Sequence, residues 1–165
     1  MLATLMALSF VPNAPAPTPT GAIIATAGQT VKFDAAQTSV ATVAGLPLGS
    51  PLTAQPLDPA DLNPRAFDFS ALIGDAKIAQ IVRITMSAAA ATVGVEVWQD
   101  SPRVPIIDAA TSQIVQIWFA VDPAFQSDPG FSGAGLQVGV SILIQTDAAV
   151  YQTYERTGIL TVRNL

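Results

Sequence analysis

Three separate runs of this chain repeat apolar side chains at every second position, a period that only a pleated strand with one buried face can use. In GLQVGVSILIQ, Leu136, Val138, Val140, Ile142 and Ile144 alternate with Gln137, Gly139, Ser141 and Leu143. In ATVGVEVWQ, Val93, Val95 and Val97 share one side, with Gly94, Glu96 and Trp98 on the other. In AKIAQIVRITMS, Ile78, Val82, Ile84 and Met86 face one way, while Lys77, Arg83 and Thr85 face the other. Sheets that bury one face and wet the other are typically antiparallel.

Less regular strands are expected over residues 22–26, 30–33, 104–107, 113–121 and 158–163. Turn residues punctuate them at Ala27-Gly28, Asp100-Ser101-Pro102, Asp128-Pro129-Gly130 and Gly133-Ala134-Gly135. Helix is confined to a turn at 58–62 and a single turn near 69–73. Seven to nine strands in 165 residues indicate an all-β fold, an antiparallel β-sandwich or jelly-roll-like barrel. Its core would draw on the alternating valines and isoleucines, with Trp98, Trp118 and Phe119 as larger fillers.

Proline divides the rest. Pro12, Pro15, Pro17 and Pro19 alternate with small residues in VPNAPAPTPT, which favours an extended polyproline-like arm. Pro47, Pro51, Pro56, Pro59 and Pro64 follow in a second cluster, where a missing N–H and a fixed φ disfavour helix and central strand. The chain therefore divides into an extended arm over 1–20 and a single domain over 21–165. Within that domain, 43–66 form a long irregular loop or arm.

Composition excludes several kinds of chemistry. Cysteine and histidine are absent, which removes disulfides, thiolate nucleophiles, the usual zinc sites and imidazole acid–base catalysis. Ser and Thr therefore have no imidazole to activate them, and no G-x-S-x-G elbow is present. Asp58, Asp61, Asp122 and Asp128 sit where aspartate caps turns, which explains them without a catalytic pair. Calcium would need a D-x-D-x-D-G spacing or a site gathered from distant loops; the acidic residues are spread singly. GFSGAG at 130–135 is neither a Walker loop nor a dinucleotide fingerprint and is expected to be a hairpin connection. The expectation is a non-enzymatic protein without a cofactor.

The seven basic residues are scattered and the net charge is −5, which argues against nucleic acid and anionic lipid as partners. Half of the residues are apolar and only 12% are charged, about half the usual share of roughly 25%. Too few charges remain to cover a free surface, so contact with other proteins is expected.

The stretch MLATLMALSFV is too short to span a bilayer and lacks a basic leader. Its Leu2, Leu5, Met6, Leu8 and Phe10 are candidate partner-interface residues. Two readings stand: a first strand of the same domain, or an arm adding to the sheet edge of a neighbour. Trp98, Trp118, Tyr151 and Tyr154 would form a sugar-binding platform if they lay exposed together.

In order, residues 78–145 carry a strand, the short hairpin of VGVEVWQ, the proline turn SPRVPI, the aromatic strand QIVQIWFAV, a Gly-rich turn and the alternating LQVGVSILIQ. This order, with the Ala/Thr/Val/Gln/Pro-rich composition, resembles small β-rich structural proteins of tailed bacteriophages, which decorate heads or build tails and fibres. The resemblance implies a virion protein assembled in the host cytoplasm. It further implies many copies, often trimeric, bound to one another and to a major capsid or tail protein. The leading expectation is a capsid decoration or cement protein; the alternative is a tail, fibre or knob component that binds host surface glycans.

Overall fold

The computed structural model describes residues 17–35, 42–43, 46–47 and 49–165. Its strands are β1 (Thr20–Gly21), β2 (Thr30–Lys32), β3 (Thr42–Val43), β4 (Leu46–Pro47), β5 (Asn63–Asp68), β6 (Ile78–Met86), β7 (Val95–Val97), β8 (Ile106–Asp108), β9 (Ile114–Val121), β10 (Leu136–Thr146) and β11 (Thr153–Val162). Two short helices, α1 (Ser70–Ile73) and α2 (Ala88–Thr92), interrupt them. The fold is mostly β, with a mixed six-stranded sheet and an antiparallel three-stranded sheet around a single apolar core, and a separate antiparallel pair β3–β4.

The larger sheet runs β1-β8-β9-β5-β2, and β7 takes the rest of the β9 edge that β8 leaves open. Strand β9 is its centre: Val115, Ile117, Phe119 and Val121 point inward and are buried, as their period of two requires. The three-stranded sheet runs β11-β10-β6, antiparallel throughout. On β10, Val138, Val140, Ile142 and Ile144 are fully buried, as their alternation predicts. The sheets meet closely at Gly158 of β11, where a Cβ would lie 2.9 Å from the Phe67 ring and 3.3 Å from Val31. Phe33, Phe67, Phe69 and Phe119 form a chain of ring contacts with centroids 4.8–6.3 Å apart. Trp98 and Trp118 are only half-buried. They occupy the opposite face of their strands from Val97 and Phe119, so they are not core fillers.

Several expectations fail for identifiable reasons. Residues 22–26 are not a strand. β1 and β2 lie at opposite edges of one sheet, so this segment must cross the sheet's outer face. There the buried Gln116 Oε1 accepts the N–H groups of Ile24 and Ala25 at 2.8 and 3.0 Å. Pro64 sits inside a strand, although a central proline was disfavoured. β2 flanks only Ala66–Asp68, so β9 is the sole neighbour at Pro64 and the missing N–H disturbs no second ladder. The proline-rich loop accordingly ends at residue 62. The run Ala88–Thr92 is helical, since four consecutive alanines carry the strongest helix propensity. Residues 130–135 are not a hairpin connection, because they join β9 of one sheet to β10 of the other.

β6 departs from simple alternation. Its register against β10 slips twice, leaving Ala79 and Val82 as extra residues. The second bulge places Ile81 opposite Ile144 and turns Val82, expected in the core, outward at 46% exposure.

The proline-rich segment serves its own domain along the described stretch 49–62. Thr53 N and Leu57 N donate to Ile159 O and Thr161 O at 3.0 and 2.8 Å, and Ile159 N and Arg163 N donate back to Pro51 O and Leu57 O at 2.8 and 2.9 Å. Residues 51–57 thus complete the outer edge of β11. Arg65, fully buried on the inner side of β5, anchors this strap by donating to Pro56 O at 3.0 Å, and donates to Pro64 O of its own strand at 2.8 Å. Desolvation lowers its pKa to about 10. Ahead of the strap, Leu46 of β4 rests on Gly139 of β10, where a Cβ would approach it to 2.5 Å.

Candidate functional site

The opposite side of the small sheet is built differently. β6 is its terminal strand; among the described residues, β8 and Ser112 approach it near its start, with Ile78 N donating to Ser112 O at 2.7 Å, and the entering chain at 17–19 and the loop at 99–105 lie alongside the rest. Between them lies a groove of about 530 Å³ whose walls are mostly apolar, including Pro17, Val82, Ile84 and Val104, with Arg83 and Gln99 as its larger polar members. That volume lies within the roughly 300–1,000 Å³ typical of binding sites.

Local sequence accounts for the groove. Bulges bend and twist an edge strand, which blunts indiscriminate strand pairing. Here they also leave Ile81 and Ile84 half-buried against the core rather than sealed in it. The prolines at 17 and 19 keep the entering chain extended. Thr18 between them accepts the Ile81 N–H on its Oγ1 at 3.0 Å. The chain then turns away: Pro19 O accepts from Ile107 N and Gly21 O from Ala109 N, both at 2.9 Å, which pins β1 to β8. Arg83, on the outer face of β6, is exposed and pairs with Glu155 of β11 at 3.0 Å.

Asp108 secures this side. Partial burial pushes its carboxyl upward, but Thr111 Oγ1–H and the N–H groups of Thr111 and Ala110, at 2.7, 2.9 and 3.3 Å, outweigh that and hold the pKa below its ordinary value. Other carboxylates serve turns: Asp58, Asp122 and Asp128 accept the N–H two residues on, from Ala60, Ala124 and Gly130, at 2.7–2.9 Å. Among the described residues, no three acidic side chains gather into a metal-binding group.

The candidate interface residues Leu2, Leu5, Met6, Leu8 and Phe10 lie outside the described residues. The four rings of the sugar-platform expectation are not brought together. Trp98 and Trp118 are cross-strand neighbours, with Trp98 N donating to Trp118 O at 2.9 Å, and the Arg103 guanidinium lies 5.2 Å from the Trp118 ring centre. Tyr154, by contrast, belongs to the other sheet and packs against the core, and Tyr151 projects from the β10–β11 connection at 73% exposure. Sequence reasoning missed the groove residues Thr18, Val82 and Val104. The available signal was the adjacent apolar pair Ile81-Val82, which breaks the period of two and marks a bulge.

Comparison with protein-family models, curated proteins and solved structures finds no match for this chain.

Proposed function

We propose that this chain is a structural subunit of a larger assembly, its two sheets forming a sandwich-like body, and that the assembly is a virion whose shell it decorates and cements. The observation that carries the reading is the asymmetry of the small sheet. One edge is finished by the chain itself, while the other presents a mostly apolar groove beside the point where the proline-rich N-terminal stretch joins the body. Sparse charge and turn-capping aspartates add support, since they leave surface for contact and little for acid–base chemistry. A subunit that binds the assembled shell, and not its free parts, shifts the equilibrium toward assembly by mass action. Several weak contacts per oligomer make attachment durable.

Shells prepared with and without the chain provide the test. A higher rupture temperature and greater resistance to osmotic shock are expected when it is bound. Equal rupture at full occupancy overturns the cementing role. The tail or fibre alternative retains the Trp98–Trp118 pair as its support, and a glycan array with the purified chain tests it separately.

A further inference from the structure

We infer that the groove beside β6 is the acceptor for the apolar N-terminal segment, Leu2 to Phe10, of a second copy of this chain, so that two copies complete each other's sheet edge. The inference rests on the assembly reading and deepens it by naming both the surface and its occupant.

The groove calls for an apolar, uncharged, extended occupant. Val82, Ile84, Val104 and Pro105 offer apolar side-chain contact; of the polar lining, Arg83 is already paired with Glu155 and Gln99 is uncharged, and no carboxylate lines the space. Sixteen residues precede Pro17, none of them charged, and five large apolar side chains fall within Leu2–Phe10. Segment and groove therefore match in polarity, and a terminal strand such as β6 suits an extended partner.

Chain geometry selects a second copy over the same one. The described chain begins at Pro17, on the lip of the groove. A proline-alternating run favours extended geometry at about 3.1 Å per residue. Prolines at 12 and 15 lie between Phe10 and Pro17, and their fixed φ favours continued extension over the reversal needed to return the segment to its own groove. A neighbouring copy can receive it instead, and reciprocal exchange closes the contact without leaving an unused surface. The base of the segment is held for this purpose, with Thr18 bonded to Ile81 and β1 pinned to β8.

The absence of native cysteine gives a direct test with the full-length chain. Copies carrying Leu8→Cys and a size tag are mixed with untagged copies carrying Val82→Cys under mild oxidation. The control pairs Leu8→Cys with Val150→Cys, a residue 77% exposed on the β10–β11 connection. Docking between copies should raise the mixed disulfide roughly ten-fold over the control through effective concentration. The pair Leu5→Cys with Val104→Cys repeats the measurement at second positions, and circular dichroism confirms that each variant folds. Pairing no faster than the control overturns the inference. So does a Leu8→Cys/Val82→Cys double variant that closes within one copy at high dilution. Sedimentation of the same samples separates the two levels: oligomers that persist without this disulfide sink the groove assignment alone, whereas monomers at every concentration remove the assembly reading as well.

Discussion

The two edges of the three-stranded sheet solve the same problem in opposite ways. Beside β11, residues 51–57 supply four backbone hydrogen bonds, and Leu57 is fully buried behind them. Beside β6, only two backbone N–H groups among the described residues find partners, Ile78 N on Ser112 O at 2.7 Å and Ile81 N on Thr18 Oγ1 at 3.0 Å, two bulges break the register and Val82 faces outward. An exposed sheet edge is a liability that proteins usually blunt or cover. Where one edge is covered and the other only blunted, with a mostly apolar groove beside it, the blunted edge is the place to expect a partner.

The largest expected effect breaks the covered edge. Leu57→Ala leaves the strap's backbone bonds possible but opens a cavity beneath it. It should cost about 2–5 kcal/mol, read as a lower denaturant midpoint with little change in slope.

Acid should act next, and on the other side. Because the Asp108 pKa lies below its ordinary 3.8, its hydrogen bonds contribute stability that is fully present above the unfolded value. That stability is lost as pH falls through the lower, folded one. Asp108→Asn removes this pH-dependent contribution and should cost about 1–3 kcal/mol near neutral pH. It should also flatten the acid limb of a stability–pH curve and loosen β1, with the Leu57 strap unaffected.

Thr18→Val strips the one described side-chain acceptor from the β6 edge. A cost near 1 kcal/mol is expected, well below that of Leu57→Ala. Val82→Lys should change monomer stability by no more than about 0.5 kcal/mol, yet it places a charge in the groove. Its signature is lost self-association in sedimentation while the unfolding midpoint stays in place.

How far the sequence discloses this contrast depends on where the information resides. The alternation in β10 is legible because each of Val138, Val140, Ile142 and Ile144 obeys a rule set within one strand. The single helical turn expected near 69–73 is α1, whereas the other, at 58–62, is a plain turn. Pro64 misleads because its tolerance depends on where β2 stops, a fact of tertiary pairing. The segment at 22–26 looks like a strand because small and apolar residues suit either role, and Gln116, some ninety residues away, decides between them. Val82 falls on the core face of a strict alternation because a two-residue period counts positions and cannot see an inserted one. The groove combines all three difficulties: it is made by a bulge, a loop and an entering chain that share no local pattern.

Amide hydrogen exchange followed across a wide range of protein concentration tests the central claim most directly. The account predicts that Thr53, Leu57, Ile159 and Arg163 are protected to the same degree throughout, since their partners lie in the same chain. Protection over residues 79–84 should rise with concentration as a second copy covers that edge. Exchange in β6 that stays constant while the protein remains monomeric would contradict it.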